Sequence, residues 1–353
     1  MKRVVVSVLI LIILFFTFPP AQAVTSPSLS GMQIYPRDHI WNVPVDSLPV
    51  DPMSETYIKS AGASAYLYVY EGYPLNIVDI NTPVHYFTSF RYMEGSDYVP
   101  YPVPVNPLIE TRSKDHSLLI IQPDTNYFYQ IFDAQKNADG TWSAGSGAVF
   151  NLSTYELRPD GWTADAAGLP VLPGLLRYDE VAFGEISHAL RITTWTTQNA
   201  HIWPARHDAG ISNTAFPPMG QRFRLKSTFD ISGYTPQQQV ILRAMKKYGM
   251  ILADNNGDKR IWGLSAAEDA RWDFDFTTFA GIHGSDFEAV DVSSLMIDKD
   301  SGKARVTLEV TATPSVTGGQ SDIPDSGTGA MAITSACFGI VAICVYRVFM
   351  KKP

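Results

Sequence analysis

The densest set of chemically useful side chains in this sequence lies between Glu185 and His207. There, three of the seven histidines stand with two tryptophans, two arginines and a glutamate. Histidine changes charge closest to neutral pH, so it serves as general base, proton shuttle or metal ligand. Glu185-Ile-Ser-His-Ala-Leu-Arg-Ile-Thr-Thr-Trp195 and His201-Ile-Trp-Pro-Ala-Arg-His207 each read as a strand, with Thr196-Thr-Gln-Asn199 as the break. An even-length turn there makes a hairpin in which His188 faces His207, Leu190 faces Ala205, Ile192 faces Trp203 and Thr194 faces His201. One face then carries His188, His201, Trp203 and His207, and the other Glu185, Ser187, Arg191 and Arg206. An odd-length loop shifts the pairing by one residue and separates these sets, because side chains alternate along a strand.

Such a face suits sugar chemistry. In a polysaccharide lyase a cation or an amide neutralises a uronate carboxylate while a His or Tyr removes the neighbouring proton. His188, His207, Arg191 and Glu185 are the candidate catalytic residues, and His201, Trp203 and Arg206 the candidate substrate-binding ones. Three neutral imidazoles on one face also suit a divalent metal, although no metal is assigned. Glycoside hydrolysis needs two carboxylates about 5 to 10 Å apart. Asp179, Glu180 and Glu185 cluster, but in a flat strand Asp179 and Glu185 lie about 20 Å apart while Glu180 and Glu185 point to opposite faces. Packing explains the same residues nearly as well: His188 stands between Ile186 and Leu190, Trp203 precedes a proline, and Arg206 can pair with Glu185. No phosphate-binding glycine loop, Gly-x-Ser-x-Gly elbow, cysteine-pair zinc spacing or His-Glu-x-x-His occurs. The cofactor is left open.

The elements that would position this hairpin are mostly strands. Tyr66 to Tyr70 alternates, and Ser117 to Gln122, Tyr127 to Ala134 and Ala148 to Leu152 form a meander with turns at Pro123–Asn126 and Asn137–Gly140. The prolines from Pro100 to Pro107 make an extended surface segment, whose tyrosines Tyr98 and Tyr101 could line a sugar groove. The long small-residue loop from Asp160 to Gly174 has a length typical of functional loops. One helix is well marked, over about 235–248, with Thr235 and Gln238 as a capping box, Pro236 at the first position and Gly249 as the stop. Ser54 to Ala61 is a shorter candidate. Met250–Ala253 and Arg260–Gly263 read as a hairpin around Asp254–Asp258, and Lys303–Val310 as a last strand. The expected fold is mainly β, an antiparallel β-sandwich for which a jelly roll is one arrangement.

Both ends of the 353-residue chain stand apart. Met1-Lys2-Arg3, the apolar run to Phe18 and Ala21-Gln22-Ala23 have the pattern of a signal peptide over residues 1–23. Ala330 to Val345, followed by Arg347, Lys351 and Lys352, has that of a membrane anchor over 330–350 with a basic tail at 351–353. Residues 311–329, rich in Ser, Thr, Gly and Pro, form a stalk. Five of the 27 basic residues lie in the apolar ends and their flanks, so the other 22 face 35 acids, a net of −13 that argues against nucleic acid as a partner. Both cysteines, Cys337 and Cys344, fall in the C-terminal apolar run, which leaves residues 24–310 without a disulfide.

Ile323-Pro-Asp-Ser-Gly327, the apolar run and the basic tail together resemble the sorting signal of Gram-positive surface proteins, with Ile323 and Ser326 departing from the usual Leu and Thr. The blocks Glu185-Ile-x-His-Ala-Leu-Arg-Ile, Trp203-Pro-Ala-Arg-His and Tyr248-Gly-Met-Ile-Leu-Ala-Asp254 resemble a group of secreted bacterial proteins without a settled activity. That resemblance implies one coherent extracellular domain over 24–310 and no catalytic residue. The expectation is therefore an extracellular protein held at the membrane or cell wall by its C-terminus. Its partner is a polysaccharide or surface glycan, and it acts as a carbohydrate-active enzyme or, failing that, as a non-catalytic adhesin or glycan-binding protein.

Overall fold

The computed structural model describes Leu29 and residues 32–306, all within one unit that ends at Thr307. The signal-like start, the stalk, the C-terminal apolar run and the sorting-signal pentapeptide lie outside these residues. Of the strand expected over 303–310, Lys303 bridges to His39 and Ala304 to Met296; residues 307–310 lie outside.

The described residues are mainly β. The largest sheet has six strands in the order β1 (Tyr66–Tyr73), β14 (Ile261–Ala267), β9 (Leu190–Thr194), β13 (Met250–Asn255), β12 (Arg222–Leu225) and β15 (Phe287–Val290). A second has β2 (Leu75–Ile77), β4 (Leu118–Gln122), β5 (Tyr127–Phe132) and β8 (Ser146–Asn151). A third has β3 (Phe87–Phe90), β7 (Trp142–Ala144) and β6 (Gln135–Lys136), and β10 (Gln198–His201) pairs with β11 (Pro218–Met219).

The sheets form layers, and β4 shows why. All five of its residues are buried. Leu119 and Ile121 join a core shared with Ile251 and Ala253 of the six-stranded sheet, while Leu118 and Ile120 join Phe87, Phe90, Tyr101 and Trp142 on the other side. A strand covered on both faces is apolar throughout rather than alternating. The far face of the six-stranded sheet buries Leu190, Ile192, Leu252 and Trp262 under α1 (Ser54–Gly62) and α3 (Pro236–Lys247). Helix α3 starts as its sequence dictates. The Thr235 hydroxyl accepts from Gln238 N, and the Gln238 side chain accepts from Thr235 N. Such a cap is worth about 1 kcal/mol. At the other end buried Arg222 donates to the Tyr248 and Ile40 carbonyls at 2.5 and 2.7 Å.

The antiparallel sandwich expected from the sequence is corrected here. The ladders β1/β14, β9/β13, β2/β4, β3/β7 and β10/β11 are parallel, and the helices cover one sheet. The expected meander is present in β4, β5 and β8. Both expected hairpins around the candidate site are absent. Strand β9 inserts between β13 and β14, so Met250–Ala253 and Arg260–Gly263 never pair with each other. With both its edges occupied, β9 has no free edge for residues 198–207; β10 turns away and pairs with β11. Central strands and hairpin strands look alike locally, because what separates them is partners far away in sequence.

One buried group ties the N-terminal segment to the last described residues. His39 is 1% exposed and stacks on Tyr35 at 3.9 Å. Its Nδ1 accepts from Trp41 N, and its Nε2 has no partner among the described residues. Gly302 lies so close that a Cβ there would approach Nε2 to 2.1 Å. Burial lowers the imidazole from 6.5 to about 3, with Asp38 opposing. An unfolded chain therefore takes up a proton that the folded one refuses, and stability is lost as pH falls through the window from 6.5 to about 3. The slope from this group is at most about 1.4 kcal/mol per pH unit. Urea midpoints measured across that window should fall in the wild type and run flatter in His39→Leu; parallel curves would contradict the assignment.

Candidate functional site

Leu190 and Ile192 point from β9 into the helix-side core, so Arg191 and Thr193 point the opposite way, between the six- and four-stranded sheets. The Arg191 side chain is only 2% exposed there. A buried cation of this kind needs partners, and it has three. Nε donates to Asp165 Oδ2 at 3.1 Å, Nη1 to Ser265 Oγ at 2.9 Å and Nη2 to Asp254 Oδ2 at 3.0 Å. Burial opposes the guanidinium's charge, but Tyr73, Asp165 and Asp254 outweigh it and hold the pKa above the ordinary range.

Each carboxylate is placed by a backbone device. In β13, Leu252 partners Ile192, but Asp254 partners Thr193, so the register shifts by one residue between them. Without that bulge Asp254 would share the helix-side face of Met250 and Leu252. With it, Asp254 shares the face of Arg191, the re-aiming that bulges produce. Asp165 comes from the long loop before Leu175. Its Oδ1 accepts from Ala167 N at 3.0 Å and Leu169 N at 2.8 Å. Burial raises its pKa to about 6, with Asp254 adding to the rise and Arg191 opposing it.

A chamber of about 300 Å³ opens on this cluster, lined among others by Tyr73, Asp115, Gln130, Asp165, Arg191 and Asp254. Asp115 sits on the loop before β4, which Glu110 holds by accepting from the Tyr70 hydroxyl at 2.6 Å and from Ser113 Oγ at 2.5 Å. The Asp115 carboxylate accepts no hydrogen bond among the described residues. Desolvation raises its pKa, the nearby charges of Asp254 and Glu110 raise it further, and Arg191 and His116 oppose. Tyr73 is pushed to about 12 by burial, with Arg191 opposing. The chamber thus holds an aspartate ion-paired with Arg191 (Asp254) and one whose pKa desolvation and its neighbours raise (Asp115). A hollow of about 700 Å³ shares Tyr92 and Thr163 with the chamber, and a further one of about 280 Å³ shares Arg91 with that hollow.

The residues expected from the sequence are dispersed. Only Arg191 lies in the chamber, and it cannot neutralise a uronate because two carboxylates already occupy it. His207 lines the adjoining hollow and hydrogen-bonds the Ala166 carbonyl at 3.0 Å. His201 sits between Asp160 and Asp208, at 3.0 and 2.5 Å. Trp203 packs against the Ile40–Val45 cluster and donates to Ser301 O at 2.8 Å. Arg206 is buried and clasps two loops, donating to the Arg158 and Lys299 carbonyls and to Asp300. It does not pair with Glu185.

His188 and Glu185 line a different cleft of about 590 Å³ with Arg177 and Glu180. His188 Nδ1 lies 2.8 Å from the Ala189 carbonyl and Nε2 3.1 Å from both Glu180 oxygens. Burial raises the Glu180 carboxyl, but Arg177 and His188 outweigh it and hold it below the usual range. Glu180 and Asp179 belong to a short helix α2 (Tyr178–Phe183) rather than a strand, stopped by Gly184 at φ 95°. The three histidines share no partner among the described residues, and no group of three or more His, Cys, Asp or Glu there is placed to hold a metal ion.

Sequence reasoning missed Asp115 and Asp254 as functional groups. It did mark the Asp160–Gly174 loop and the block ending at Asp254; nothing local marks Asp115. Comparison with protein-family models, curated proteins and solved structures finds no match.

Replacing Arg191 by Met leaves Asp165 buried without its cation, which should cost about 3 to 5 kcal/mol in a denaturant titration. Adding Asp165→Asn to that variant should recover part of the loss. A cost below about 1 kcal/mol for Arg191→Met would show that the cluster is dispensable.

Proposed function

We propose that the protein hydrolyses glycosidic bonds of a polysaccharide in the chamber beside Arg191. The observation that carries this is the pairing of Asp115 and Asp254 in one cavity, one raised in pKa and the other ion-paired. Asp115 gives its proton to the oxygen of the leaving sugar. Asp254, oriented by Arg191 and by Asn255 N at 2.8 Å, either attacks the anomeric carbon or takes a proton from the attacking water. In the first case water then cleaves the glycosyl–Asp254 ester, leaving its hydroxyl on the new reducing end and its proton on Asp115; in the second Asp254 keeps the water's proton and passes it to solvent while Asp115 takes one up. The adjoining hollows past Tyr92 and Arg91 provide length for a polymer.

The chamber's charge favours hydrolase over lyase. Arg191 is the sole cation among its lining residues, and it is committed to two carboxylates. A lyase that neutralises its uronate with a cation finds none free among these lining residues. Localisation belongs to the same proposal: export and retention at the cell surface rest on the two end segments of the sequence. No helix among the described residues is long and apolar enough to cross a membrane. A non-catalytic glycan-binding role draws on a separate feature, the exposed pair Tyr86 and Tyr98 with ring centroids 6.0 Å apart.

A polysaccharide panel should therefore yield new reducing ends without the absorbance of unsaturated sugars. Asp115→Asn and Asp254→Asn should each lose at least about 100-fold in rate, while His188→Ala keeps most of it. Unsaturated products, or full activity in both aspartate variants, would refute the mechanism.

A further inference from the structure

We infer that the sugar held in the chamber carries a free amine, so that the substrate is an amino-sugar polymer with deacetylated units. This rests on the hydrolase proposal and adds the substrate class. Three carboxylates, Asp115, Asp165 and Asp254, line the chamber against one guanidinium. That guanidinium is buried and already donates to two of the three. With Asp115 holding the proton that the hydrolase mechanism requires, Asp165 and Asp254 still outnumber the one guanidinium, so an anionic sugar entering this space would meet net negative charge, whereas an ammonium would be stabilised.

Hydrogen-bonding capacity leads to the same conclusion independently of charge. Asn255 lines the chamber, and its buried Oδ1 has no donor among the described residues. The carboxylate of Asp115, an exposed residue, accepts no hydrogen bond from another described residue. Gln130 Oε1, by contrast, is already taken by Val171 N at 2.8 Å. The unfilled positions near the paired aspartates are therefore acceptors, and an ammonium brings three donors and no acceptor. An N-acetyl group brings one N–H and a carbonyl that these acceptors cannot satisfy. In the adjoining hollow Arg91 is paired with Asp133 and Glu94 also lines the wall, so the charge outside the chamber does not reverse the preference.

The test uses thio-linked hexamers of glucosamine, N-acetylglucosamine and galacturonate, which resist hydrolysis and so separate binding from cleavage. Calorimetric titration into the wild-type protein should show the glucosamine hexamer binding at least about tenfold tighter than the N-acetylated one, with no heat from the uronate. In Asp254→Asn, whose folding a thermal melt checks, the preference should fall to about threefold or less. Equal binding of the first two, tightest binding of the uronate, binding of none, or an unchanged preference in Asp254→Asn would each overturn the inference. If it falls while Asp115→Asn still abolishes hydrolysis of a neutral glycan, the hydrolase proposal stands without it. A preference for the amine with no cleavage of any polymer would sink the hydrolase proposal instead.

Discussion

Arg191 is the group on which the interior between the two larger sheets depends. Strand alternation forces its side chain into that space, and a guanidinium so far from water is tolerable only when its hydrogens are met. Asp165, Asp254 and Ser265 meet them from a long loop, a bulged strand and a third strand. Removing any one partner costs more than a surface ion pair is worth, because the remaining charges stay buried. Three otherwise separate pieces of chain are thereby fixed to one another.

The chamber is a consequence of the same constraint. Side chains around Arg191 cannot close down as apolar ones do, so polar space remains beside it, bounded by Tyr73, Gln130 and the loop carrying Asp115. The guanidinium orients Asp254 and spends its own charge in doing so. What is left facing the chamber is negative and rich in acceptors. A site built this way selects against anionic ligands through its structural support rather than through a dedicated repulsive residue.

Local signals in the sequence were dependable where the physics is local. The capping box at Thr235 places α3 to within a residue, and the Pro123 turn places β4 and β5. The mainly β character follows from the same kind of signal. The Glu185–His207 hairpin failed for a non-local reason. Strand β9 is claimed on both edges by β13 and β14, partners about sixty residues or more away, and no residue within the hairpin window carries that information. The polar set was correctly seen as unusual, but its members serve different elements: Arg191 the interlayer space, Arg206 a loop clasp, and His188 a buried pair with Glu180. Asp254 escaped notice because its orientation depends on a one-residue bulge, and Asp115 because nothing about a lone aspartate in a polar loop distinguishes it.

The proposal that Asp115 and Asp254 act as a coupled acid and base is most directly tested by following the Asp115 carboxyl carbon by NMR through a pH titration, in the wild type and in Asp254→Asn. Asp115 should titrate above the usual aspartate value in the wild type and move part of the way down when the Asp254 charge is removed, since desolvation is the larger cause. An ordinary midpoint in the wild type, or one indifferent to Asp254, would contradict the coupling on which the mechanism stands.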